Sequence, residues 1–533
     1  MNFDLAIING RILDGTGNPW FKADIGIKEG KIDFIGKLRK PSAEKVINAE
    51  NLIVCPGFID IHSHSDFTVL VDPKAESKIM QGVTLEVVGN CGSSAAPMND
   101  FLREHRERYL KPTLGEEIEF DWETMNQYFK KLEAKGIAVN IASLVGHGTV
   151  RTCVLGFSDR SPTSSELEEM KELVAKAMED GAIGLSTGLI YTPGCYAKTE
   201  EIIELAKVAA EYGGIYASHI RGEGATLIEA VKEAITIGEK ASIPVEISHF
   251  KASGKPNWGK VKEAIKIILE ARNRGVDVTA DQYPYIASST GLVALLPKWA
   301  REGGAEKILE RLKNPKIRNK IRDEMKSYTL RDEEYWSRIM ISQVGKNKQF
   351  EGMRIAEIAK ILDKDPIDTV LDLILEEETI VRMINFGICE EDVETIMKLT
   401  WVMVGSDGRA VSPTGKLGEG KPHPRYYGTF PRVLGRYVRE RKVIPIELAV
   451  RKMTYLPAWR LGFRDRGIIR EGAWADIVIF DPNEINDKAT FINPHQFPVG
   501  IKYVIVNGEI TVENGKHTGR LNGRVLRLQN RVK

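Results

Sequence analysis

Cysteine is sparse and scattered, five in 533 residues. An odd number at irregular spacing builds no disulfide framework, which excludes the small secreted scaffolds and predicts a reducing, cytoplasmic setting. Excess charge is also missing. The formal net charge is +1, from 75 Lys and Arg against 74 Asp and Glu, so neither nucleic acid nor an anionic membrane surface has an electrostatic handle. No apolar run approaches the roughly 20 residues that cross a bilayer, and the opening MNFDLAIING breaks its apolar residues with acid and amide side chains, unlike an export leader. Glutamine is scarce, whereas Glu/Lys/Arg-rich segments such as 306–326 recur, a bias that fits a thermophile. What remains, with 42% hydrophobic and 28% charged residues, is a soluble globular chain acting on a small molecule, long enough for more than one core and with room for a homo-oligomer.

The two ends share one idiom. FDLAIINGRILDG, ADIGIKEGKIDFIG and KVINAENLIVCPG at the start, and GAWADIVIFDP, KYVIVNGEITVENGK and HTGRLNGRVLRL at the finish, read as short strands separated by Asn-Gly, Asp-Gly and Glu-Gly turns. They predict one small β-sandwich domain built from residues 1–55 and 465–533. The middle, 56–464, alternates. Eight nearly all-apolar strands, beginning with 52–61 and ending with LTWVMVGSDG, are separated by helical patterns such as SELEEMKELVAKAMED. Apolar strands alternating with helices predict an α/β fold, a (β/α)8 TIM-like barrel covered on both faces, ahead of an open doubly wound sheet. Residues 286–398, between the seventh and eighth strands, exceed any ordinary connection and read as an insertion, either a lid over the barrel mouth or a surface excursion.

Ligand-type side chains cluster at the strand ends. In PGFIDIHSHSD, His62 and His64 stand two apart and therefore face the same way from a strand, with Asp66 following. Cys91 ends the second strand in GNCG, His219 the fifth in ASHIRG, His249 the sixth in ISHF, and Asp407 the eighth in GSDG. Taken singly, a strand histidine is more often structural, a lone cysteine a small hydrophobe and an Asp before Gly a turn former. Six such residues at the C-terminal ends of five barrel strands are hard to explain by packing. Imidazole, thiolate and carboxylate together suit zinc better than a hard cation. Zinc brings the pKa of water towards about 7, and a neighbouring carboxylate, here Asp407, is placed to take and return the proton. His147, between two glycines, reads as structural, and His105, His423, His495 and His517 lie away from strand ends. Cys55, Cys153, Cys195 and Cys389 read as packing residues.

On these motifs the chain resembles the amidohydrolase superfamily, and through GNCG, SLVGHGTVR, GLSTGLIYTPG, DQYPY and HPRYYGTFPRVLG it resembles the N-acyl-D-amino-acid deacylases, or D-aminoacylases, almost end to end. The resemblance implies one tightly held zinc on Cys91, His219 and His249, and a second, weaker position on His62 and His64 that shares Cys91, with Asp407 nearby. It implies Asp407 as the acid/base and Arg425 as the anchor of the substrate carboxylate, a bidentate task suited to a guanidinium. Tyr283, Lys251, Tyr191 and Ser289 would be further substrate contacts. The activity implied is hydrolysis of the amide of an N-acyl-D-amino acid by metal-activated hydroxide. Alternatives are a dipeptidase for dipeptides containing a D-residue, a cyclic amide hydrolase of the dihydropyrimidinase or dihydroorotase type, and a barrel without activity. The cyclic amide hydrolases commonly use a carboxylated lysine on strand four, and AIGLSTGLIY has none.

Overall fold

A computed structural model describes residues 2–39, 42–329 and 334–528. Its centre is a ring of parallel strands. Phe58–Asp60 pairs with Val83–Val88, which pairs with Asn140–Ser143. That third strand continues as Val145–Gly146 and pairs with Gly184–Gly188. Ile215–His219, Val245–Ile247, Val278–Gln282 and Val402–Val404 follow in order. A parallel bridge between Ser63 and Gly408 joins the eighth strand to the first, with Asp407 N donating to His62 O at 2.8 Å and His64 N to Gly408 O at 2.9 Å. The expected TIM-like barrel is the fold.

The strands are buried along their whole length, as sheet covered by helices must be. The covering helices earn their place by periodicity. Ser164–Glu179 buries Met170, Val174, Ala177 and Met178 on one face, and its start is fixed by reciprocal hydrogen bonds between Thr163 and Glu166. Leu227–Ala241 buries Leu227, Ala230, Val231, Ala234, Ile235 and Gly238 with the same spacing.

Strands from both chain ends form one nine-stranded sheet. Ile53–Pro56 lies between Phe3–Ile12 on one side and Ile477–Phe480 on the other, so the first and last parts of the chain meet side by side. Alternation along Ile477–Phe480 sets the two faces: Ile477 and Ile479 enter a core with Ile7, Ile25 and Ile505, while Val478 and Phe480 pack into the core of the barrel. The long segment before the eighth strand carries its own apolar core, including Ile308, Leu312, Ile339, Val370 and Ile374. It also contains a three-stranded antiparallel sheet of Ser288–Gly291, Ile339–Gln343 and Arg382–Asn385. One edge of that sheet reaches the barrel mouth, where Ser289, Thr290 and Arg382 line the central cleft.

Candidate metal centre and active site

Where the strands end, the chain turns sharply. Cys91, His249 and Asp407 have φ of 52°, 36° and 49°, a left-handed region that L-residues other than glycine enter rarely and at a cost. Three residues with ligand chemistry hold this conformation at three strand ends. Packing explains part of the order behind them: a Cβ on Gly405 would lie 2.7 Å from His62 Cβ and 2.9 Å from Asp281 Oδ1, so only glycine lets the eighth strand pass there.

The side chains converge on one sulfur. Cys91 Sγ is 3.3 Å from His62 Nε2, 3.6 Å from His219 Nδ1 and 3.5 Å from His249 Nε2. Three overlapping sets have their donor atoms within 4.8 Å of one another: His62, His64 and Cys91; Cys91, His219 and His249; His62, His249 and Asp407. Burial alone would raise the Cys91 thiol, but the charges of His62 and His249 and hydrogen bonds from His219 and His249 hold it well below its ordinary range, as a thiolate. Asp407 Oδ1 lies 3.0 Å from His64 Nε2.

A second layer of acids, unmarked by any motif, orients the rings. Asp281 Oδ2 is 3.2 Å from His62 Nδ1, while its Oδ1 accepts from His249 N at 2.9 Å. Glu223 Oε1 is 2.9 Å from His249 Nδ1. Each pairing turns the ring so that Nε2 faces the sulfur. Beneath them Lys78 Nζ sits 2.6 Å from Asp60 Oδ2, 3.0 Å from Glu86 and 2.8 Å from Ser406 Oγ, and Asp60 Oδ1 accepts from Ser406 N at 2.8 Å. This buried network fixes the backbone immediately before Asp407.

A cleft of about 550 Å³ opens over the centre. His64, Cys91, Asp407, Arg425, Tyr191 and Ser289 line it. Arg425 is buried, with Nη1 2.9 Å from Asp407 Oδ2, Nη2 donating to Ser289 O at 3.3 Å, and its guanidinium over the Tyr283 ring at 4.7 Å. Tyr191 Oη accepts from Thr290 Oγ1 at 3.3 Å. Tyr283 and Lys251 lie elsewhere, beside His249 around a small void of about 10 Å³. There Lys251 is taken up by Glu223 and by both His249 Nδ1, at 3.0 Å, and His249 O, at 2.9 Å. Tyr283 Oη is buried with no hydrogen-bond partner. His147 stands apart, with Nε2 2.8 Å from Glu201, which also accepts from Arg151.

The residues present fit a thiophilic divalent ion. A buried thiolate with imidazoles around it is a soft, nitrogen-rich donor set, with one donor atom each of Cys91, His219 and His249 gathered within 4.8 Å. The amidohydrolase family profile matches residues 45–512, spanning this whole constellation. The chain belongs to the amidohydrolase family. Within it, the chain is 36% identical to a D-aminoacylase of Alcaligenes xylosoxydans xylosoxydans, over 98% of this chain and 97% of the relative. It is equally 36% identical to an N-acyl-D-glutamate deacylase of the same organism, over 98% of this chain and 96% of the relative. Among solved structures, the N-acyl-D-glutamate deacylase of Bordetella bronchiseptica, complexed with zinc and a phosphonate mimic of the tetrahedral intermediate, superposes with a TM-score of 0.83 at 36% identity, covering 99% of this chain and 100% of that one. No helix among the described residues is long and apolar enough to cross a membrane.

Proposed function

We propose that the protein hydrolyses the amide bond of N-acyl-D-amino acids, releasing a carboxylic acid and a free D-amino acid. The observation that carries this reading is the convergence of His62, His64, Cys91, His219, His249 and Asp407 at the mouth of one barrel, in a family whose relatives include deacylases of this kind. Cys91, His219 and His249 would hold one zinc ion tightly, and His62 and His64, sharing Cys91, a weaker second. When bound, zinc lowers the pKa of water and polarises a carbonyl oxygen.

The chain's own groups do the rest. Asp407, held anionic by Arg425, takes the proton of the attacking water and later delivers it to the leaving amine nitrogen. Arg425 binds the α-carboxylate of the D-amino acid and so fixes which amide lies over the metal ligands. Tyr191 and Ser289, which line the cleft, position the acylated nitrogen, and the Tyr283 ring supports the Arg425 guanidinium. Lys251 acts through His249 and Glu223. A dipeptide with a C-terminal D-residue presents the same amide and carboxylate. The cyclic amide reading lacks its anchor, because Gly184–Gly188 carries no lysine.

This reading places the enzyme in the cytoplasm, supported by five free cysteines. Ion-pair chains such as Lys364–Asp372–Arg318 support a thermophilic source. The test is a panel of N-acetyl-D- and N-acetyl-L-amino acids, D-containing dipeptides and dihydropyrimidines, with metal content measured on the same sample. Amine release from D-substrates alone, at one or two zinc per chain, is expected. Hydrolysis confined to L-substrates or to rings refutes the reading.

A further inference from the structure

Three arginines besides Arg425 line the cleft. Arg106 donates to Ala95 O and Ser94 O, both at 2.6 Å, whereas Arg382 and Arg409 have no part in the chemistry above. Arg382 stands in the insertion strand Arg382–Asn385, directly opposite Gly291 on one neighbouring strand and Gln343 on the other. Arg409 follows Asp407 by two residues. Both line the central cleft, and both line a small side pocket of about 30 Å³ that shares Ser289, Gln343 and Tyr426 with it.

Neither arginine has a carboxylate partner among the described residues. The acids lining the cleft are Asp66 and Asp407. Asp407 is engaged by Arg425 and His64, and Asp66 Oδ1 accepts from Gly89 N at 2.8 Å. Glu419, in the side pocket, is held by Lys348 at 3.2 Å and Lys416 at 3.1 Å. A guanidinium drawn out of water without a counter-ion is costly, and burial lowers the pKa of Arg382 accordingly. Tyr426 lies in the field of these arginines: burial alone would raise its phenol, whereas the charges of Arg382, Arg409 and Arg425 and a hydrogen bond with Arg409 bring it down to about 7. Leu102, Leu110, Leu114 and Phe157 give the same cleft an apolar stretch of wall, interrupted by His105, Arg106 and Tyr109.

We propose that Arg382 and Arg409 bind a second carboxylate, carried on the substrate's side chain, so that the preferred substrates are N-acyl derivatives of acidic D-amino acids. The inference rests on the deacylase reading. Arg425 takes the α-carboxylate, Arg382 and Arg409 the side-chain carboxylate, and the apolar stretch the acyl group. An apolar or amide side chain in that position would bury Arg382 without a counter-ion. Equal identity to a D-aminoacylase and to an N-acyl-D-glutamate deacylase leaves this choice undecided, and the arginine pair decides it.

The test compares N-acetyl-D-glutamate with its uncharged isostere N-acetyl-D-glutamine, and with N-acetyl-D-methionine, on the zinc-loaded full-length enzyme. The expected kcat/KM ratio of glutamate to glutamine is about 10- to 100-fold, the usual worth of a charge-assisted contact. It should shrink with added salt. Arg382→Met and Arg409→Met should each lower that ratio about tenfold or more, chiefly through KM for the acidic substrate, with Arg382→Lys recovering part of it. Glutamine or methionine derivatives cleaved as well as the glutamate derivative, or variants that slow acidic and neutral substrates equally, would overturn the proposal. Should a variant fail to fold, the wild-type ratio and its salt dependence decide alone. Failure of the deacylase reading looks different: no D-substrate, acidic or neutral, is then hydrolysed, and this inference falls with it.

Discussion

Arg425 holds its Nη1 2.9 Å from Asp407 Oδ2, while the other carboxylate oxygen of Asp407 lies 3.0 Å from His64 Nε2. The group proposed to move the proton is therefore clamped between a buried guanidinium and an imidazole of the proposed metal centre. Burial alone would raise its pKa. Arg425, the largest opposing influence, then His249 and His64, hold it well below the usual carboxylate range. Asp407 is an anion at neutral pH, the state that accepts a proton.

Asp407→Asn keeps the shape and removes the basicity. Turnover should fall by about 10²–10⁴-fold. Zinc content, measured by elemental analysis, should stay at the wild-type level because Cys91, His219 and His249 are untouched. Wild-type-like rates in that variant would end the acid/base assignment.

Arg425→Ala should act twice. Loss of the carboxylate anchor raises KM by about 10- to 100-fold, the worth of a charge-assisted pair. Loss of its charge also raises the pKa of Asp407. A base works only when ionised, so the acid limb of the pH–rate profile should move to higher pH, and Arg425→Lys should move it less. A profile that stays in place while KM rises would mean that the guanidinium binds substrate without tuning the carboxylate.

Glu223→Gln and Asp281→Asn probe the acids behind the rings. Each removes the charge that orients an imidazole without touching a proposed ligand atom. Zinc affinity should weaken by about 10- to 100-fold, measured by competition with a chromogenic chelator. Unchanged affinity in both would show that the strand backbone alone orients His249 and His62.

The barrel was legible because its strands are apolar on both faces and alternate with helices of 3.6-residue period. The candidate ligands were legible because their type is rare and their place, at strand ends, repeats. Glu223 was not, since an acid in the turn RGEG looks like any turn residue until Lys251 and His249 arrive from the next strand. Asp281 opens DQYPY, where an acid at a strand end before Pro284 has no local mark of a histidine partner 219 residues away. The left-handed backbone at Cys91, His249 and Asp407 left only a faint sign, the glycines that follow Cys91 and Asp407. The insertion's antiparallel sheet was hidden for another reason. Ser288–Gly291 reads SSTG, with no alternation and little β-propensity, and it is a strand only because Arg382–Asn385 pairs with it. Arg382 reaches the cleft by that pairing, which no local pattern announces.

Lys452 offers a test of stability away from the site. It lies in Ile446–Met453 with a relative exposure of 1%, its ammonium donating to Leu399 O, and burial followed by the nearby charge of Arg451 brings its pKa down to about 7. In the unfolded chain a lysine titrates near its ordinary value of about 10.4. Between those two values the unfolded state binds the extra proton, so this residue makes stability rise with pH across that window. Below about pH 7 both states hold the charge, and the folded state carries the full cost of burying it. Lys452→Met keeps the length of the side chain and removes the charge. At pH 6 the variant should therefore melt above wild type, by an amount on the order of a few kcal/mol, and the gap should narrow steadily towards pH 10. The check is thermal or guanidinium unfolding of both proteins at pH 6, 8 and 10. A variant less stable than wild type at pH 6, or a gap that does not change with pH, would show that the ammonium is well solvated through its carbonyl contact and that the lysine is held for packing alone.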